Sequence, residues 1–300
     1  MSGLRPGNIG RLPAKKDSPE VLVERLFRRI GEVSSLPTVA IRIIEVANDP
    51  STDADDLHEA VQIDASMATR IVRTVNSSYY ALQNKVGDLR LAISLLGFNE
   101  VRNLALTAYV AQLFKRTAGH GTYSREGLWN HLIGVAMVSR MIAQTSGRVP
   151  PREAYLAGLL HDLGLILIDQ YLHEPFCRLL DASTPERPTC DVEHELLGFD
   201  HTELGEYVAL EWRLPSYLPP TIRYHHRPEE YVGDDREMVY VVSLANFFCT
   251  LKGLTSLGIR HKQMPSARLI TGLGLNEEQV ADIWGQLDDV LASADVLAMI

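Results

Sequence analysis

Six side chains carry most of the chemistry this sequence offers: His131, the adjacent pair His161 and Asp162, His201, and the adjacent pair His225 and His226. Imidazole nitrogens together with a carboxylate suit a borderline or hard divalent ion such as Zn, Fe(II) or Mn. Adjacent residues on a helix diverge by about 100°, so a His-Asp or His-His doublet directs one ligand at an ion and the next at a neighbouring ion or a supporting partner. His161 and Asp162 also interrupt an apolar stretch, Ala157, Gly158, Leu159, Leu160 before them and Leu163, Gly164 after. An ionisable pair buried there without partners would be costly, so it calls for a metal, a mutual hydrogen-bond network or a cleft. The plainer alternatives are a satisfied core network at 161–162 and a solvated helix end at His225, His226, Arg227 and Pro228.

Helices must position these groups. Apolar residues recur at helical spacing from Val21 through Leu22, Leu26, Phe27 and Ile30, and again from Pro37 through Ile41, Ile44 and Val46. Further helices are expected over 55–63, with Thr52 or Asp53 as cap, then through Met67, Ile71, Val72 and Val75, over 89–96 ended by Gly97, and over 101–114. Residues 119–121 read as a linker. Beyond it, helices are expected over 129–145, 152–171, 191–197, 202–212, 218–226, 236–251, 265–271 and 277–298. No segment sustains period-two alternation, no repeat recurs, and no heptad seam extends beyond chance, so the fold is expected to be all-α. The expected organisation is a lead-in at 1–20, an N-terminal helical subdomain at 21–117, a second helical subdomain at 122–252 carrying the histidines, and a C-terminal helical extension at 253–300.

Composition narrows the function. Hydrophobic residues make up 46% and charged residues 22%, so the 300-residue chain has ample apolar material for a core. Lys and Arg number 29 against 38 Asp and Glu, a net charge of −9 that argues against a surface built to track phosphates. Arg70 and Arg73 share a helix without a basic cluster or interleaved aromatics, so nucleic-acid binding is not expected. The longest apolar run, near 156–168, is broken by His161 and Asp162 and falls short of a membrane span. Cys177, Cys190 and Cys249 form no CxxC knuckle and no nucleophile signature; they read as structural thiols in a reducing cytoplasm. Residues Asn99, Glu100, Val101, Arg102 and Asn103 read as a solvated helix cap, and Trp212 as a core anchor.

The order His131, His161-Asp162, His201, His225-His226 resembles the HD superfamily of metal-dependent phosphohydrolases, and the surrounding residues resemble its HDOD branch. Those residues are Leu36, Pro37, Thr38, Val39, Ala40; Asp64 to Arg70; Asn76, Ser77, Ser78; Ala92 to Gly97; Glu193, Gly198, Asp200, Gly205, Trp212, Leu214 and Pro215. The resemblance spans about 25–252. It implies an HD-like helical bundle with an N-terminal helical subdomain, a bacterial signalling and regulatory role exercised by binding, and a metal site formed by His131, His161, Asp162, His201, His225 and His226. Other signalling proteins, a nucleotide ligand and a second copy of the chain are the partners it brings to mind. The sequence departs from the catalytic HD-GYP relatives in three places. Leu165 follows Gly164 where they carry a lysine that assists cyclic di-GMP hydrolysis. The Gly-Tyr-Pro segment after the paired histidines is missing. Asn246 stands where a further aspartate ligand is expected. The implied alternative is a metal-dependent phosphohydrolase of a nucleotide or cyclic dinucleotide.

Overall fold

The computed structural model describes residues 42–43, 46, 51–77, 80, 82–114, 119–260 and 266–298. The expected lead-in and first helix lie outside these residues, as does the second helix apart from residues 42, 43 and 46, of which Ile43 and Val46 are core. The fold is all-α. Its first group comprises α1 (Ala54–Gln62), α2 (Ala65–Val75), α3 (Leu89–Leu96) and α4 (Phe98–Val110). Aspartates start three of them. Asp53 caps α1 in a reciprocal box with Asp56, and Asp64 and Asp88 accept backbone N–H groups of α2 and α3.

The second group holds α5 (Arg125–Ser146), α6 (Pro151–Leu160), α7 (Leu163–Tyr171), α8 (His173–Ala182), α9 (Thr189–Leu197), α10 (His201–Glu211), α11 (Leu218–Tyr224) and α12 (Arg236–Leu251), followed by α13 (Ala267–Gly272) and α14 (Glu277–Ala298). The long α5 is buried around much of its circumference, and α6, α12 and α14 pack on it. The first group joins the second where α4 meets α6. Asn103 donates to the Arg152 carbonyl (2.7 Å), while Glu100 accepts from the Tyr80 hydroxyl (2.9 Å) and Arg140 (3.0 Å). This corrects the reading of 99–103 as a solvated cap: Glu100, Arg102 and Asn103 are buried, Glu100 and Asn103 bind the two helical groups together, and Arg102 donates to Asn103.

Three further differences have local causes. The expected linker holds a two-residue hairpin, β1 (Gly119–His120) against β2 (Tyr123–Ser124), with Gly119 opposite Ser124 and His120 opposite Tyr123. It turns through Gly121 at positive φ, and the Tyr123 hydroxyl donates to buried Asp169 (2.9 Å). Helix α8 had no sequence expectation because Pro175 masks its start; proline is tolerated in a first turn, and Phe176 and Leu179 bury its inner face. The expected continuous helix over 152–171 is two helices, α6 and α7, parted at His161 and Asp162. No helix among the described residues is long and apolar enough to cross a membrane. Cys177, Cys190 and Cys249 are all unpaired.

Candidate metal centre

The break between α6 and α7 puts the His-Asp pair where the chain turns. Asp162 leaves helical geometry at φ −103°, ψ 21° and precedes the first turn of α7. Gly164 makes this turn possible: a Cβ there would lie 2.0 Å from the His201 carbonyl oxygen, so only glycine lets α7 approach the start of α10. His201 opens α10 behind the Asp200–Glu203 capping box. His225 and His226 follow the last turn of α11, and His131 lies on α5.

Five of the six expected residues are buried, His131, His161, Asp162, His201 and His225, whereas His226 is exposed at the mouth. The solvated-end reading of the histidine pair therefore applies to His226 and not to His225. Asp162 is the hub. Its Oδ2 lies 3.3 Å from His161 Nε2 and 3.6 Å from His131 Nε2, and its Oδ1 lies 3.2 Å from His201 Nε2 and 3.3 Å from His225 Nε2. The ligand atoms form two groups sharing this aspartate. His131, His161 and Asp162 make one; Asp162, His201, His225 and His226 make the other, with atoms within 4.8 Å of one another in each.

The opposite edge of each buried ring fixes what the inner edge can do. His161 Nδ1–H donates to the Gly158 carbonyl (2.7 Å), His225 Nδ1–H to the Ile222 carbonyl (2.8 Å), and His131 Nδ1–H to the Leu254 carbonyl (2.8 Å). His201 Nδ1–H donates to Glu193 Oε2 (2.6 Å), which also accepts the His201 backbone N–H (3.0 Å). A carbonyl can only accept, so the proton resides on Nδ1 and the Nε2 lone pair faces inward. The four Nε2 atoms and Asp162 Oδ1 are buried without a hydrogen-bond partner.

Electrostatics keep the lone pairs in place. Burial, reinforced by neighbouring His161, pushes His131 down to about 4. Burial likewise takes His225 to about 4 against the pull of Asp162. Burial would raise Asp162, but the surrounding histidines overcome it and hold the carboxyl well below its usual range. His201 goes the other way: burial opposes its protonation, and Glu193 beside it raises its basicity. Neutral His131 and His225 thus point lone pairs at a carboxylate, an arrangement that a cation relieves, and His201 would give up its inward proton to join them. The donor set of nitrogen and carboxylate oxygen fits Zn, Fe or Mn, and the Nδ1 partners are the outer contacts that orient such ligands.

A cleft of about 320 Å³ opens beside this centre, bounded by His201, His225, His226, Arg227, Ser243 and Asn246 among others. Leu165 lines it too, at 1% exposure. Arg227 donates to Asp200 (2.6 Å). Sequence reasoning passed over two contributors. Glu193 was noted only as part of a resemblance, yet it shares a helical face with Cys190 and Leu197, placing an anion where packing calls for an apolar side chain. The Leu254 carbonyl had no side-chain signal at all.

Residues 33–228 match the HDOD domain. The chain belongs to the HDOD family. Among solved structures it is similar to an HDOD domain protein of unknown function from Geobacter sulfurreducens, at 27% identity and a TM-score of 0.74, covering 92% of this chain and 99% of that one. It is also similar to a candidate signal transduction protein from Marinobacter aquaeolei, at 26% identity and a TM-score of 0.74, covering 95% of this chain and 67% of that one. The fold is shared with a candidate phosphohydrolase from Shewanella amazonensis, at 20% identity and a TM-score of 0.70 over 92% of this chain and 97% of that one. The sequence also matches an uncharacterised Treponema pallidum protein at 24% identity over 75% of this chain, and YuxH of Bacillus subtilis at 28% over 61%. This HDOD chain spans less than half the length of either of those two relatives, 44% and 43%.

Proposed function

We propose that this HDOD protein is a metal-bearing signalling module that works by binding. The two ligand groups around Asp162 hold two divalent ions of Fe, Mn or Zn, and the adjoining cleft takes a small ligand whose binding biases the surface offered to a partner signalling protein. The observation that carries this reading is the convergence of five buried polar atoms without a hydrogen-bond partner, four Nε2 and Asp162 Oδ1. Unpaired thiols and a net charge of −9 suit a cytoplasmic setting and partners other than nucleic acid. Signalling requires that the ligand favour one of two conformations.

Binding is preferred over turnover because of the cleft's lining. Phosphoryl transfer needs cationic stabilisation of developing negative charge. Leu165 stands in the cleft where the catalytic relatives it resembles carry lysine, and Arg227 is engaged by Asp200. The second reading, a metal-dependent phosphohydrolase, is favoured by the bridging position of Asp162 between two ligand groups, which suits a two-ion centre. When bound, such ions would supply an activated water and charge neutralisation; His131, His161, His201, His225, His226 and Asp162 would hold them. Thermal melts of chelator-treated protein with added Mn²⁺, Fe²⁺ or Zn²⁺ test the first reading: stabilisation that disappears in Asp162→Asn supports it, and no stabilisation by any ion rejects it. Mn²⁺-dependent turnover of cyclic di-GMP that disappears in His161→Ala would establish the second.

A further inference from the structure

Three of the four inward-facing histidines take their Nδ1 partners from within eight residues along the chain: Gly158 for His161, Ile222 for His225, and Glu193, on the preceding helix, for His201. His131 does not. Its partner is the carbonyl of Leu254, 123 residues further along the chain and outside the 33–228 span that matches the HDOD domain.

The end of α12 explains how that carbonyl arrives. Gly253 takes a positive φ of 89°, its N–H donates to the Thr250 carbonyl (3.0 Å), and the Leu254 N–H donates to the Cys249 carbonyl (2.9 Å). This left-handed stop turns the chain back toward α5. There Gly134, one helical turn beyond His131, leaves a notch. A Cβ at 134 would lie 2.3 Å from Leu254 Cδ2 and 3.1 Å from Leu291 Cδ2. The Leu254 side chain therefore occupies the space a larger residue would fill, and Leu291 of α14 packs against the same spot. Three further contacts tie α14 to the end of α12. Lys252 Nζ reaches both Asp288 oxygens (2.8 and 2.9 Å) and lies 4.7 Å from the centre of the Trp284 ring, which meets Phe248 edge-on.

We infer that Leu254 is the positioning residue for His131 and that α14 holds it in place, so the His131–His161–Asp162 half of the centre depends on the seating of the C-terminal helix. The chemistry is direct. While Nδ1–H donates to the Leu254 carbonyl, Nε2 keeps its lone pair toward Asp162; once the carbonyl withdraws, the proton can move to Nε2, which then donates a hydrogen bond to Asp162. That removes one donor from one half of the centre and leaves the His201–His225–His226 half untouched. The metal consequence rests on the two-ion reading above, whereas the tautomer consequence does not.

The test uses the full chain carrying Leu291→Ala, with Gly134→Ala as a second variant that expels Leu254 from the opposite side and Leu291→Met as the conservative control. Nitrogen NMR of ¹⁵N-histidine-labelled, chelator-treated protein reports each ring tautomer, and circular dichroism reports folding. The expected result is that His131 alone loses its Nδ1–H form in Leu291→Ala and Gly134→Ala, and keeps it in Leu291→Met. In Mn²⁺ titrations one of two bound ions is expected to weaken by about 10–100-fold, the loss usual for an orienting contact, while the other is retained. If Leu291→Ala does not fold, Gly134→Ala decides. A folded variant in which His131 keeps its Nδ1–H tautomer overturns the inference. Wild-type protein that takes up no Mn²⁺ overturns the two-ion reading instead, and the tautomer measurement still decides the positioning role.

Discussion

Acid should destabilise the metal-free protein through His131 and His225, and the size of the effect follows from their burial. Both are held at about 4 in the folded chain, against about 6.5 when unfolded. Between those values the unfolded state binds the proton and the folded state does not, so this contribution is fully present above pH 6.5 and is lost as pH falls toward 4. From pH 6.5 to 5 each histidine costs about 1.5 kcal/mol, and the pair about 3 kcal/mol. Two neighbours also move in this direction of pH: His226, lowered by burial and by His225, adds to the loss, and Glu193, raised by burial, opposes it, and both act alike in wild type and in a variant of His131 alone. His201, raised by Glu193, contributes stability that is present below 6.5 and is lost only at higher pH. Asp162, depressed by its histidines, loses its contribution only below the ordinary carboxylate value. Urea unfolding with chelator present, at pH 6.5 and pH 5, should show a loss in wild type to which His131 and His225 contribute about 3 kcal/mol. His131→Asn, whose amide can still donate to the Leu254 carbonyl, should lose about 1.5 kcal/mol less than wild type over the same interval. Equal losses in both proteins would refute the reasoning, because His131 would then protonate as readily in the folded chain as in the unfolded one.

Other outcomes follow from the same geometry. Glu193→Gln removes the anion that fixes His201, so Mn²⁺ affinity in the His201 half should fall about 10–100-fold with the His131 half unchanged, read by calorimetric titration. Gly164→Ala sets a Cβ against the His201 carbonyl, a main-chain contact no rotamer can relieve; urea denaturation should show a loss of about 1–3 kcal/mol. Glu100→Ala removes the acceptor shared by Tyr80 and Arg140 between the two helical groups, and should cost about 1–3 kcal/mol in the same assay.

The residues of the centre are legible in the sequence because they break its grammar: His161 and Asp162 stand in an apolar run, and His225 is buried three residues beyond Ile222. Their relation to the backbone is not. The run from Leu156 to Ile168 reads as one apolar helix, and the break between α6 and α7 rests on a local bond from the His161 ring to the Gly158 carbonyl and on a tertiary contact, Gly164 against His201. Helix periodicity identified most elements of the second half, yet it missed α8, whose Pro175 looks like a stop, and the hairpin at 119–124, whose strands are too short to alternate. Charge misled at 99–103. Glu100 and Asn103 look solvent-facing by type and are buried because their partners, Tyr80, Arg140 and the Arg152 carbonyl, come from distant positions. Partners supplied by the main chain, above all the Leu254 carbonyl, leave no trace in residue identity.

The buried atoms around Asp162 either hold ions or do not. Elemental mass spectrometry of untagged wild-type protein, beside Asp162→Asn and a His161→Ala, Asp162→Ala double variant, measures this most directly. Two divalent ions per wild-type chain and none in either variant is the predicted result. Folded wild-type protein without metal, even after loading with Mn²⁺, Fe²⁺ or Zn²⁺, or unchanged metal content in the variants, would contradict it.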